Sequence, residues 1–230
     1  MNKVVLVGAL GSMGRILAEE ISADARLSLA GAVEAPGNKG IGSEIQGVKV
    51  TENLDELLGG VDIAVDFSVP ENSLNTVEAC AGNKVAAVIG TTGISERQLS
   101  EMKKRSEDIP LLVSPNMSLG VNLLFNLVGE VASVLPDFDI EITEIHHNRK
   151  KDSPSGTAAR IGEIISSARE GARVVYGREG QTGPRPKQEI GMHSLRGGDV
   201  TGEHTIIFAG EGERLELVHR AHSRRTFARG

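Results

Sequence analysis

The chain has 230 residues, 39% of them hydrophobic, and a formal net charge of −6. This length supports one large or two modest domains with ample core, and the apolar share argues against wholesale disorder. With aromatics at 3%, no Trp and a negative balance, neither stacked-base recognition of single strands nor DNA binding through a basic surface is expected.

Cys80 is the only cysteine, so neither an intrachain disulfide nor a Cys-based zinc site can form; its helix-like, semi-apolar setting reads as packing. Met1–Val7 enters a strand directly, without the apolar core of a signal peptide, and no run approaches the length of a membrane helix. The expected location is cytoplasmic.

Val4–Val7 is an unbroken aliphatic run, the pattern of a parallel strand buried on both faces. It leads into Gly8-Ala9-Leu10-Gly11-Ser12-Met13-Gly14 and then into a helical spacing of Ile16, Leu17 and Ile21. The glycines suit a tight turn, a close backbone approach to pyrophosphate, and close helix–strand packing, in the form G-x-x-G-x-x-G rather than the stricter G-x-G-x-x-G. Leu27–Val33 reads as the second strand. Glu34, about twenty residues beyond Gly14, ends it where a dinucleotide fold places a carboxylate for the adenine ribose hydroxyls.

The alternation continues with strands at Val61–Phe67, Val85–Ile89 and Leu111–Val113, and helices at Pro70–Cys80 and Ser95–Ser106, the latter opened by a Ser cap. Such a series implies an α/β, Rossmann-type, doubly wound parallel sheet with ligands at the carboxyl ends of its strands. Asp66-Phe67-Ser68, Gly90-Thr91-Thr92-Gly93 and Ser114-Pro115-Asn116-Met117 all fall at those ends and read as a cofactor floor. After Ser118 the pattern changes. Leu119–Val134 is one helix, Phe138–Ile145 alternates apolar against polar like a half-exposed strand, and Ala158–Arg169 is a helix with Ile161, Ile164 and Ile165 inward. Strands follow at Gln188–Leu195, Gly202–Ala209 and Arg214–Arg220, with Gly177–Pro186 as the most loop-like stretch. An α+β segment with a mixed sheet thus follows an α/β one, and two domains with a cleft between them are expected: 1–118 for the dinucleotide and 119–228 for substrate and oligomerisation.

The fourteen residues Glu144–Thr157 are the chemically densest part of the chain. His146 and His147 end a strand and should diverge, one facing the site as proton donor while the other binds or orients. Lys150, four residues after His146, returns on a bend; Asp152 pairs with it or with a histidine. Ser155 suits a helix cap, with Gly156 and Thr157 offering N–H groups to a carboxylate. The combination points to a small anionic substrate and an acid–base step. No metal is expected, because adjacent histidines rarely converge on one ion and no third compact ligand is evident. His219, Arg220, Arg224 and Arg225 form a second cationic group, read equally as an anion cluster or as a surface or subunit contact.

The pattern E-x-H-H-x-x-K-x-D-x-P-S-G-T, complete from Glu144 to Thr157, resembles that of the 4-hydroxy-tetrahydrodipicolinate (dihydrodipicolinate) reductase family. The resemblance extends over essentially the whole chain through Asp66-Phe67-Ser68, Gly90–Gly93, Pro115–Asn122, Arg178-Glu179-Gly180, Arg196–Asp199 and Gly202–Thr205. It implies an oxidoreductase that reduces 4-hydroxy-tetrahydrodipicolinate to tetrahydrodipicolinate with NAD(P)H in diaminopimelate and lysine biosynthesis, as a homotetramer joined through the sheet of the second domain. By it, His146 is the proton donor or acceptor and Lys150 a proton donor near the leaving hydroxyl, while His147, Ser155, Gly156 and Thr157 hold the substrate carboxylates. Gly8, Ala9, Leu10, Gly11, Ser12, Met13, Glu34, Gly90, Thr91, Thr92, Ser114, Pro115, Asn116 and Met117 would hold the cofactor. The chain departs from the family where Ser12 replaces a frequent Arg and Ala35 a frequent basic residue. Both changes remove partners for a 2′-phosphate, so NADH is expected to be preferred over NADPH. The family also continues beyond Thr226–Gly230 with a helix returning to the nucleotide domain, which this chain is expected to lack. Another two-domain dehydrogenase would share the first half without the Glu144–Thr157 segment, and a nucleotide-sensing regulator would not need its proton donor.

Overall fold

A computed structural model describes all of residues 1–230, which divide into two compact units: Met1–Met117 with Phe227–Gly230, and Ser118–Thr226. The last four residues therefore pack with the first unit, although residues through 228 were expected in the second part. Phe227–Arg229 end a short helix, α7 (Arg225–Arg229), whose Ala228 packs on a core of the first unit and whose Arg229 Nε lies 2.8 Å from Glu20 Oε2.

The first unit is built on a seven-stranded sheet. Its strands are β1 (Asn2–Val7), β2 (Leu27–Val33), β3 (Glu44–Ile45), β4 (Val48–Thr51), β5 (Ile63–Asp66), β6 (Ala86–Ile89) and β7 (Leu111–Val113), in the order β3-β4-β2-β1-β5-β6-β7. All pairings are parallel except β3 with β4. Helices α1 (Ser12–Ala23), α2 (Asp55–Leu58), α3 (Pro70–Asn83) and α4 (Glu96–Arg105) connect them. The aliphatic run of β1 is buried from Val4 to Val7, as a strand covered on both faces must be. Ser95 caps α4 in a capping box with Gln98, and Cys80 is buried in α3. β3, β4 and α2, which were not anticipated, are only two to four residues long, too short to show a period.

Register places the strand ends together. Val7 pairs with Val33 and Asp66, Asp66 with Ile89, and Ile89 with Val113. The turns that start at Gly8, Glu34, Phe67, Gly90 and Ser114 thus line one edge of the sheet, the edge where α/β sheets bind ligands.

The second unit has a five-stranded mixed sheet of β8 (Asp139–His146), β9 (Arg173–Tyr176), β10 (Glu189–Arg196), β11 (Gly202–Ala209) and β12 (Arg214–Ala221), in the order β12-β11-β8-β10-β9. β8 is parallel to β10 and antiparallel to β11. Helices α5 (Leu119–Val134) and α6 (Gly156–Ala168) cover one face, burying Leu124, Val128, Ile161 and Ile165 against Ile140, Ile142, Ile190, Ile206 and Phe208. β9 was not anticipated: Arg-Val-Val-Tyr is short and exposed at three of its four positions.

Candidate active site

The covered face of the second sheet changes character along β8. Ile140 and Ile142 sit in the apolar core, and the next residue on that face is Glu144. Register puts Glu144 beside Ser194 and His204, His204 beside His219, and His146 beside Arg196. Two rungs of side chains at the end of the sheet are therefore polar and titratable.

Glu144 has no exposed surface, yet its carboxylate is saturated by donors. His146 Nδ1 lies 2.5 Å from Oε2. Arg196 donates bidentately, 2.9 Å to each oxygen, and the Ser155 backbone N–H donates to Oε1 at 3.1 Å. Burial alone would raise the Glu144 carboxyl; the hydrogen bonds from His146 and Arg196, with a further one from the Ser194 side chain, more than offset it and hold the group well below the ordinary range. An ionised carboxylate only accepts, so His146 carries its proton on Nδ1 toward Glu144 and presents Nε2 as the other end of the ring. Gly202 backs that ring closely: a Cβ there would lie 2.9 Å from His146 Nε2.

Ser155 is the N-cap of α6, its hydroxyl accepting from the Ala158 N–H at 3.1 Å and lying 3.1 Å from His204 Nε2. His204 meets the His146 ring edge-on, with centroids 5.3 Å apart. Its burial, assisted by the charge at His146, pushes its pKa down to about 3, so it is a neutral residue. Beside Gly156, at the exposed start of α6, a Cβ would meet nothing within 4 Å, so the first turn of the helix is open to a ligand.

His147 leaves the strand and diverges from His146, as two successive residues must. Its Nε2 lies 3.5 Å from Arg224 Nη2, and burial followed by the charges of Arg224, Arg149 and Lys150 lowers its pKa, which keeps it neutral near pH 7. Lys150 pairs with Asp152 at 2.8 Å, the first of the two pairings read from the sequence. Arg196 also donates to the Asp152 carbonyl at 2.7 Å, and Gly197 and Gly198 bond the backbone of His146 and Asn148, so the Arg196 turn clamps the loop after β8. Of the second cationic group, Arg224 reaches this site, while Arg220 pairs with Glu203 on the opposite face of the sheet.

In the first unit a cavity of about 600 Å³ is lined by Gly8, Gly11, Glu34, Ala35, Phe67 and Ser68, among others. Gly8 has φ +77°, and a Cβ on Gly14 would lie 2.1 Å from the Gly8 carbonyl oxygen, so both positions require glycine. Glu34 accepts from the Leu10 and Ala35 N–H groups, each at 3.0 Å, which ties the end of β2 to the glycine turn. This is a cradle of the kind a dinucleotide needs, a tight glycine turn at a helix start with a carboxylate beside it. Not every anticipated residue lines it. Ala9 is buried in the core, and Leu10 and Met13 pack on it. Ser12 is exposed at the start of α1. Thr91 turns its hydroxyl inward, accepting from Ser73 at 2.7 Å and donating to Asp66 at 3.3 Å, rather than toward a ligand. Gly90 accommodates the Phe67 ring, and Gly90–Thr92 and Ser114–Met117 follow β6 and β7 at the ligand-binding edge, beyond the walls of this cavity.

Residues 2–117 match the family model described as dihydrodipicolinate reductase, N-terminus, and residues 120–230 match the corresponding C-terminus. The chain belongs to the dihydrodipicolinate reductase family. It is 45% identical to the 4-hydroxy-tetrahydrodipicolinate reductases of Anaeromyxobacter dehalogenans and Syntrophotalea carbinolica, which match all of this chain and 90% and 91% of the relatives' own lengths. A dipicolinate-bound dihydrodipicolinate reductase from Paenisporosarcina superposes with a TM-score of 0.81 at 27% identity, covering 100% of this chain and 91% of that one. The reaction is the NAD(P)H-dependent reduction of 4-hydroxy-tetrahydrodipicolinate in lysine and diaminopimelate biosynthesis. No helix is long and apolar enough to cross a membrane.

Glu144, Arg196 and His204 emerge as parts of this site that sequence reading did not single out by role. Only the period-two spacing of Glu144 and His146 on one strand hinted that they share a face.

The neutral, buried His204 makes acid sensitivity a direct consequence of the fold. Its folded pKa of about 3 lies below an unfolded value near 6.5, so the unfolded chain binds the extra proton. Stability from this group is full above about pH 6.5 and declines as pH falls toward 3. Denaturant unfolding should show a loss between pH 7.5 and pH 5 that is about 2 kcal/mol smaller in His204→Gln than in the parent chain. Equal losses in the two proteins would refute the assignment.

Proposed function

We propose a division of labour in which the first unit holds the nicotinamide cofactor, NADH in preference to NADPH, while the second unit holds the substrate and moves the proton. The observation that carries this reading is the set of groups gathered at the end of β8: a carboxylate-tethered His146, a neutral His147 beside Arg224, Lys150, and the open start of α6. A dianionic ring is attracted by Lys150 and Arg224, and its carboxylates accept hydrogen bonds from His147, Ser155, Gly156 and Thr157. Lys150 gives a proton near the hydroxyl that leaves as water. His146 gives the proton that completes reduction, through Nε2, because Nδ1 is committed to Glu144. The bound cofactor supplies the hydride from its nicotinamide ring.

In the first unit, the turn Gly8–Met13 would cradle the pyrophosphate and Glu34 the adenine ribose, with Gly90–Thr92 and Ser114–Met117 at the neighbouring strand ends. The cavity wall favours NADH electrostatically: it carries Glu34, Glu52, Asp55 and Glu71 and neither Lys nor Arg. A 2′-phosphate brought there meets like charge without a bidentate partner.

The assembly proposed is a homotetramer joined through the uncovered face of the second sheet, where Leu195 is 45% and Val218 43% exposed and Ile145 pairs with Leu195 in register. The enzyme is proposed to act in the cytoplasm, which cell fractionation checks.

His146→Gln should lower kcat by about a hundredfold or more with cofactor binding retained; turnover within a fewfold of the parent would remove His146 from the proton-donor role. Followed by cofactor oxidation, kcat/KM should be higher with NADH, and an NADPH advantage of about tenfold (~1.4 kcal/mol) would sink the preference. Sedimentation velocity should find a tetramer that Leu195→Glu dissociates, whereas a monomeric parent chain would count against the interface.

A further inference from the structure

We infer that Glu144 is the positioning residue of the reaction, a buried carboxylate that holds the proton-donating histidine and the anion-binding helix start on one rigid frame, with Arg196 as its counter-ion. The inference rests on the proposed role of His146 and adds what sets that residue's orientation.

The geometry is specific. Oε2 takes the His146 Nδ1 contact at 2.5 Å while Oε1 accepts the Ser155 backbone N–H at 3.1 Å, so one carboxylate spans β8 and the first residue before α6. Arg196 closes the set from β10 with both nitrogens at 2.9 Å and reaches on to the Asp152 carbonyl in the loop that carries Lys150. Proton donor, carboxylate-binding helix start and lysine loop are thereby indexed to a single group. The His146 side chain is only 12% exposed, and a Cβ at Gly202 would lie 2.9 Å from its Nε2, so the ring is confined on a second side.

A carboxylate at Nδ1 fixes which nitrogen faces the substrate and places a negative charge beside the ring. Arg196 works in the opposite sense: by drawing on both carboxylate oxygens it tempers the attraction Glu144 exerts on the ring. The other charged or titratable groups near His146 are His204 from β11, which is neutral, and His147 and Lys150 from the following loop. Glu144 and Arg196 are the two whose contacts fix the balance.

This arrangement makes the two partners shift the pH profile in opposite directions, which a purely structural role would not do. A protonated His146 is needed for the transfer, so kcat falls on the alkaline limb. In Glu144→Gln that limb should move to lower pH by at least about half a unit, with kcat at the optimum reduced about a hundredfold and KM changed less. In Arg196→Met it should move to higher pH. Circular dichroism and NADH binding verify folding of each variant. Should Glu144→Gln fail to fold, Arg196→Met decides: an upward shift supports the inference and an unmoved limb overturns it. Limbs that stay in place in both folded variants also overturn it. His146→Gln, assayed in parallel, separates the layers. If it retains turnover, the proton-donor reading itself has failed; if it is inactive while the limbs do not move, only the positioning role of Glu144 is lost.

Discussion

A carboxylate with no exposed surface in the second unit sets the geometry of everything around it. Removing an ionised group from water costs several kcal/mol unless its lone pairs are matched by donors. Glu144 meets that condition with a histidine, a bidentate arginine and a backbone amide, drawn from β8, β10 and the start of α6. Because each donor comes from a different element, satisfying the charge also fixes how those elements lie relative to one another. The side chains that do chemistry are consequences of that arrangement. His146 has one nitrogen committed, and the Arg196 turn clamps the loop that brings Lys150 back to Asp152.

Behind this layer stands a second one made of neutral groups. His204 is too buried to charge, and it contacts the Ser155 hydroxyl that caps α6. A neutral ring at this place backs the helix start without adding a positive charge beside His146, where it would oppose protonation. The cations that attract a dianion, Lys150 and Arg224, sit on loops outside the buried rungs, where solvent lowers the cost of keeping them charged. Within the sheet the one fixed anion, Glu144, is matched by Arg196 and backed by the neutral His204, while the cations free to attract a substrate lie at its rim.

The first unit solves a different problem, bringing a glycine turn and an acid to one sheet edge. Strand register does most of this, since Val7, Val33, Asp66, Ile89 and Val113 are matched across neighbouring strands. Its buried polar groups serve the scaffold. Asp66, with no exposed surface, accepts from Ser68 and Thr91, and this is why Thr91, which sequence reading set among the cofactor contacts, turns its hydroxyl away from the cavity.

Local patterning in the sequence specifies the alternation of strands and helices in the first unit, the helix at Leu119–Val134, the alternating strand read at Phe138–Ile145 and found at Asp139–His146, and the Ser caps of α4 and α6. These are local properties: apolar period, glycine placement and capping chemistry act over a few residues. It missed β3, β4, α2 and β9, whose two to four residues are too short to carry a period and are ordered by their neighbours. It named His146, His147 and Lys150 because they fall in one short segment of the chain. It did not reveal that Arg196, fifty residues on from His146, grips the same carboxylate, that His204 lies at hydrogen-bond distance from the helix cap, or that Arg224 rather than Arg220 reaches His147. Those facts depend on which strands become neighbours and in what register, and only the tertiary structure decides that, because burial of Glu144 is tolerable only when donors distant in sequence arrive together.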